Sequence, residues 1–124
     1  MSEYKLAEAE EKFADIIWDH APLPSMELVK LCEEKLNWKK STTYTVLKKL
    51  CSRGLFRNEK AIVTVQVSRE EFYAGKSRQF VQETFGGSLP KFLTAFIGRR
   101  KLSREQVEEM KSLIESYGED NAAQ

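Results

Sequence analysis

The chain is expected to be mainly α-helical with a small β-hairpin, an N-terminal winged helix-turn-helix followed by a C-terminal helical dimerisation segment. Three observations lead there. Apolar residues recur at helical spacing in three short blocks before Gly54, the period changes to two between residues 55 and 67, and helical spacing with clear start and stop signals returns from residue 68. The expected organisation is therefore a winged-helix domain over 1–67, a helical domain over 68–118 and a tail over 119–124.

The first helix is predicted from about Ala7 to Asp19, where Leu6, Ala9, Phe13, Ile16 and Ile17 share one side and Ala21-Pro22 ends the pattern. A second is predicted over Ser25 to Leu36, with Ser25 as N-cap, Leu28, Val29, Leu31, Cys32 and Leu36 as its apolar side, and Asn37 as its end. The third lies within Trp38 to Leu55. At 100° per residue, Thr43, Val46, Leu47 and Leu50 fall on one side and Ser41, Thr45, Lys48 and Ser52 on the other, flanked by Tyr44 and Lys49; Gly54 stops it. Three short helices with short connections are the order of a helix-turn-helix.

The outer face of the third helix is cationic and rich in hydroxyls, which suits the major groove of DNA. An amphipathic surface helix with merely solvated lysines would look similar, and the charge distribution separates the two. Residues 1–37 hold four Lys/Arg against nine Asp/Glu, residues 38–60 seven against one, and residues 61–124 nine against nine. The near-neutral total of +1 thus conceals a block of +6. Affinity for a polyanion follows local clustering, because each neutralised phosphate releases counterions.

After Gly54, Leu55 to Arg57 and Ala61 to Val67 are β-branched and alternating, and Asn58-Glu59-Lys60 is predicted as the turn of a two-stranded hairpin. Arg57, Asn58 and Lys60 would sit on this wing. Ser68 and Glu71 then form a capping box for a helix to about Phe85, closed by Gly86-Gly87. Ser88 and Pro90 start the next, in which Leu89, Phe92, Leu93, Phe96 and Ile97 form a continuous stripe ending at Gly98. Ser103 and Gln106 cap the last, with Leu102 and Val107 placed as a hydrophobic staple and Val107, Met110, Leu113, Ile114 and Tyr117 as its stripe. About 50 residues are near the size at which helices cannot hold a core alone. Yet this segment carries Phe72, Tyr73, Phe80, Phe85, Phe92, Phe96 and Tyr117. Packing back onto the N-terminal unit would bury them; a homodimer would bury them and also place two recognition helices on adjacent half-sites.

Little else in the chain carries chemistry. His20 is the one histidine, near the end of the first helix, and there are no metal-spaced cysteines and no Gly-rich phosphate loop, so neither catalysis nor a cofactor or metal is expected. Cys32 and Cys51 read as reduced, packed thiols. No apolar run can span a bilayer, so no membrane insertion is expected, and the start lacks a basic leader with an apolar stretch, which points to the cytoplasm.

The run Thr42-Thr43-Tyr44-Thr45-Val46-Leu47-Lys48-Lys49-Leu50 with Arg53-Gly54-Leu55 resembles the recognition helix of the penicillinase and methicillin-resistance repressors, the BlaI/MecI/CopY family. Its members there read Thr-Val-x-Thr-Leu-Leu-x-Arg-Leu and end in Lys-Gly-Leu. Val67 to Phe72, Phe85 to Pro90 and Leu102 to Gln106 are similar to that family's dimerisation segment, so the likeness covers nearly the whole chain. The resemblance implies a dimeric winged-helix repressor on an inverted-repeat operator in double-stranded DNA. It also implies a membrane metalloprotease sensor as a partner, with induction by cleavage at an Asn-Phe bond whose counterpart here is Ala95-Phe96. Residues 118 to 124 lack the paired CxC motifs of the copper-responsive branch. Thr43 stands where the family has valine, and Lys49 where it has arginine, whose bidentate fork a lysine cannot form.

The expected division of labour is that Ser41, Thr42, Tyr44, Thr45 and Lys48 meet bases or the adjacent backbone, while Lys39, Lys40, Lys49 and Arg53, with Arg57 and Lys60 on the wing, meet phosphates. The alternative is a winged-helix protein-protein adaptor that binds no DNA, favoured if the protein itself covers the outer face of the third helix.

Overall fold

The computed structural model describes residues 4–118, and the expected tail at 119–124 lies outside them. Within this range the order is α1 (Glu8–His20), β1 (Leu23–Pro24), α2 (Ser25–Leu36), α3 (Lys40–Ser52), β2 (Phe56–Glu59), β3 (Ile62–Val65), α4 (Arg69–Phe85), α5 (Leu89–Ile97) and α6 (Arg104–Ser116). The fold is thus mainly helical with a small antiparallel sheet, in the layout of a winged helix-turn-helix with a helical C-terminal segment. Packing divides the chain into two units, residues 1–80 and 81–124.

In the first unit α1, α2 and α3 close on the sheet. Phe13, Ile17, Leu28, Cys32, Leu47, Leu50, Phe56 and Val63 are essentially without solvent exposure and form one core. Trp38 stacks on Phe13 at 5.4 Å between ring centroids, which anchors the start of α3 against α1. Asn37 ends α2 in the left-handed conformation that asparagine tolerates at a helix end. Gly54, at φ +83°, lets the chain reverse after α3 so that Leu55 can close the core.

Two local expectations are corrected here. Ser25 is not the cap of α2: it lies inside the first turn, is buried, and donates its N–H to the Ala61 carbonyl at 2.9 Å. The preceding residues are occupied by sheet pairing, since Leu23 pairs with Val63 and Pro24 with Ile62, giving a three-stranded sheet in the order β1-β3-β2. A two-residue strand has no period of its own to detect, and its pairing comes from the open edge of β3. The hairpin turn is also shifted. Asn58 and Glu59 pair with Val63 and Ile62 as part of β2, and the chain turns at Lys60 and Ala61, both at positive φ, as a tight two-residue hairpin requires.

The start of α4 belongs to the first unit. The Ser68–Glu71 capping box forms, with the Ser68 N–H donating to Glu71 at 2.9 Å and the Glu71 N–H to Ser68 Oγ at 3.1 Å. Arg69 reaches α1, donating to Asp19 at 2.8 Å and Asp15 at 3.2 Å while its guanidinium lies 5.5 Å from the centre of the Trp18 ring. The Trp18 indole N–H donates to the Val67 carbonyl at 3.0 Å. Phe72 is fully buried beside Trp18, at 5.6 Å between centroids, so this ring is packed within its own chain rather than held at a surface for a second copy.

The second unit holds α5 and α6. Ser88 caps α5 by accepting the Lys91 N–H, and Ser103 caps α6 by accepting the Gln106 N–H, as their spacing predicts. Phe92 lies 5.7 Å from Phe85 and 5.9 Å from Phe96. Even so, neither α5 nor α6 has a single buried residue. Among the described residues no helix is long and apolar enough to cross a membrane.

Candidate nucleic-acid interface

Helix α3 is held by its inner side. Thr43, Leu47 and Leu50 are buried against the core, which turns Ser41, Thr42, Thr45, Lys48, Lys49 and Ser52 outward, all exposed. Lys39 and Lys40, at the start of the helix, and Arg57, Asn58 and Lys60, on the wing, are exposed as well, while Arg53 is half-buried. Between α3 and β2 runs a cleft of about 370 Å³ lined by Tyr44, Leu47, Lys48, Cys51 and Asn58. The cleft therefore brings Tyr44 and Lys48 of α3 beside Asn58 of the wing.

Not all the expected cations are equivalent. Lys49 Nζ donates to Glu10 Oε2 at 2.6 Å, and this bond, with the Ala7 N–H as a second donor, holds the Glu10 carboxyl below its ordinary value. Lys49 thus ties α3 to α1. Arg57 forms an ion pair with Glu59 along β2 at 3.2 Å. Tyr44 is half-buried and donates its hydroxyl to Ser25 Oγ at 3.1 Å, which fixes its ring over the start of α2 instead of leaving it to project freely. No such partner occupies Ser41, Thr42, Thr45, Lys39, Lys40 or Lys48 among the described residues.

Two features of α3 escape a reading by periodicity. Cys51 was expected only as a packed thiol, yet it is half-buried in the wall of the cleft; burial pushes its thiol up, against a smaller pull from the Asn58 backbone. Its position three residues after Lys48 is the one signal that could have placed it there. The other is Thr43, whose fully buried Oγ1 has no partner within hydrogen-bond geometry among the described residues. It neighbours the Cys32 thiol, which burial pushes up and the Thr43 hydroxyl pulls down to a lesser extent.

The expected dimerisation residues divide by unit. Phe72 is in the first core, and Phe80, also in the first unit, is 50% exposed. In the second unit Leu93, Ile97, Met110, Phe85 and Phe92 are half-buried, and Leu89, Phe96, Val107, Leu113, Ile114 and Tyr117 are exposed. Ala95 and Phe96, expected from the resemblance as a possible cleavage site, are both exposed within α5. Among the described residues no group of His, Cys, Asp or Glu could hold a metal ion.

Residues 6–116 match the sequence profile of the family described as Penicillinase repressor. The penicillinase repressor of Bacillus licheniformis is 22% identical over 117 residues, covering 91% of each chain. The methicillin resistance regulatory protein MecI of Staphylococcus aureus strain Mu50 is 20% identical over 115 residues, which is 90% of this chain and 94% of that protein.

Proposed function

Because the chain belongs to the penicillinase repressor family, whose members are transcriptional repressors and not enzymes, we propose that it works in the cytoplasm as a homodimer on an inverted-repeat operator in double-stranded DNA. The observation that carries this reading is the outer face of α3: Ser41, Thr42, Thr45 and Lys48 are exposed on a helix whose other side is locked into the core. A rigid scaffold with short polar side chains and a lysine outward is what direct readout in a major groove needs. Lys39, Lys40 and the wing cations Arg57 and Lys60 supply phosphate charge around it. The exposed face argues for DNA over the protein adaptor, since no described segment of the first unit covers it.

Dimerisation is supported by the second unit, where Leu89 is 60%, Phe96 74%, Leu113 58% and Ile114 59% exposed. Stripes of this size on adjacent helices are stable in water only when another apolar surface covers them. A second copy also doubles the small number of base contacts that one α3 can make. Induction by cleavage, through a membrane metalloprotease sensor, is compatible with Ala95-Phe96 in α5. A protease needs that segment extended, and a nine-residue helix with no buried side chain opens at low cost.

Retardation of an inverted-repeat duplex from the promoter of its own gene tests the proposal. With seven cations between residues 38 and 60 of each protomer, and about five to nine phosphates neutralised per dimer, the log-log dependence of affinity on salt should have a slope of about −4 to −8. Absence of duplex binding, or a slope near zero, refutes it.

A further inference from the structure

The electrostatics of the two units differ in a way the recognition helix does not explain. Every acidic side chain of α1 has a cation on it: Glu8 pairs with Lys12, Glu10 with Lys49, Glu11 with Lys76, and Asp15 and Asp19 with Arg69. The connection between α5 and α6 is the opposite case. Arg99, Arg100, Lys101 and Arg104 fall within six residues, all are exposed, and none has an ion pair or a side-chain hydrogen bond among the described residues. Glu105 and Glu108 are near in sequence, and neither forms an ion pair with them.

Nor do these cations serve the helix they precede. The start of α6 is already completed by Ser103 and Gln106, which satisfy each other's backbone N–H groups at 3.0 and 3.1 Å. Positive charge at a helix N-terminus opposes the macrodipole, so Lys101 and Arg104 stand where the helix itself favours the other sign. Four clustered charges repel one another and are retained against that dipole. They fit an external polyanion.

We infer that the Arg99–Arg104 connection is a second phosphate-binding surface, whose partner is the backbone of duplex DNA. Three of its four cations are arginine, whose planar fork donates two parallel hydrogen bonds to one phosphate, whereas the exposed cations of α3 are lysines. Phosphate contacts carry no sequence information, so this surface adds affinity and leaves operator choice to α3. It rests on the proposed operator binding, and duplex DNA is its committed partner because four exposed, unpaired cations complement the closely spaced phosphates of a duplex backbone.

The test compares the full-length protein with the variant R99Q/R100Q/K101Q/R104Q, on the operator duplex and on a scrambled duplex, as salt is varied. Two to five phosphates released per dimer would reduce the magnitude of the log-log slope by about 2 to 5, and both duplexes should weaken by the same factor, at least tenfold at moderate salt. Circular dichroism and sedimentation should match the parent, and R99K/R100K/R104K should retain most of the slope. If the glutamine variant misfolds, the single changes R99Q and R100Q are read instead, each reducing the slope by up to about 2 per dimer. An unchanged slope overturns the inference while leaving the operator proposal intact, provided the parent binds; a parent that binds neither duplex overturns both. Parallel sedimentation with vesicles of equal parts phosphatidylcholine and phosphatidylserine covers the other polyanion. Vesicle binding lost in the variant, with the DNA slope unchanged, would assign the connection to a membrane surface and also overturn the inference.

Discussion

At the scale of single residues, the outward and inward sides of α3 make opposite demands on the same kind of side chain. Thr43 turns a hydroxyl into the core and leaves it without a partner. Valine has the same shape without that polar atom, so Thr43→Val is expected to raise stability by about 1 kcal/mol, read as a higher urea midpoint at unchanged slope. A lower midpoint would show that the hydroxyl is satisfied in solution. Thr45, two residues further on and exposed, has the reverse role. Thr45→Ala should weaken the operator by about 1 to 3 kcal/mol while scarcely touching scrambled DNA, whereas Lys40→Ala should weaken both duplexes by a similar factor. Equal effects of the two changes on both duplexes would remove Thr45 as a base reader. The inward and outward assignment of these residues follows from helical spacing alone. The engagement of Lys49 with Glu10 and of Tyr44 with Ser25 does not, because the partners stand 39 and 19 residues away.

At the scale of elements, α4 is fastened to α1 by charge and by close packing. The Arg69 hydrogen bond, more than its charge, depresses the Asp19 carboxyl below its ordinary value, with some opposing desolvation. A depressed carboxyl stabilises the fold above its unfolded-state pKa, near 4, and that contribution disappears as pH falls through the lower folded value. Arg69→Met should therefore lower the thermal midpoint at pH 7, and the gap from the parent should shrink as the pH falls below about 4. A gap that persists undiminished in acid would assign the loss to packing on Trp18 instead. Gly75 marks a second fastening, since a Cβ there would lie 2.2 Å from the ring of Tyr4. Alanine ordinarily gains about 1 kcal/mol over glycine inside a helix. Gly75→Ala should show that gain only when Tyr4 is also alanine; in the parent, displacement of the ring should cancel or reverse it. Additive effects in this double-mutant cycle would mean that Tyr4 leaves α4 at no cost.

At the scale of the whole molecule, function depends on how many copies meet the DNA. Phe96 is 74% exposed in its own chain, so Phe96→Asp removes almost nothing from the fold of the protomer, yet it puts an unpaired charge where a second copy should pack. The variant should sediment as a monomer with an unaltered circular dichroism spectrum. It should lose about a hundredfold or more in operator affinity, the advantage of two linked half-site contacts, while retaining weak binding to any duplex. A variant that remains dimeric, or a monomer that binds as tightly as the parent, would move the switch away from α5.

Local chemistry was enough to locate the helices. The spacing of Phe13, Ile16 and Ile17, or of Leu89, Phe92, Leu93 and Phe96, is a property of one segment, and the Ser68–Glu71 and Ser103–Gln106 boxes close within three residues. The same holds for the basic outer side of α3 and the family likeness, which are patterns along the chain. What depended on tertiary structure are the relations between distant segments. Leu23 became a strand because β3 had an open edge beside it. Phe72 entered the first core because Trp18 and the Arg69 ion pairs draw the start of α4 onto α1. An apolar ring carries the same periodic signal whether its own chain or another covers it. Only the packed protomer distinguishes the buried Phe72 from the exposed Phe96, since burial depends on which surfaces meet rather than on the order of residues.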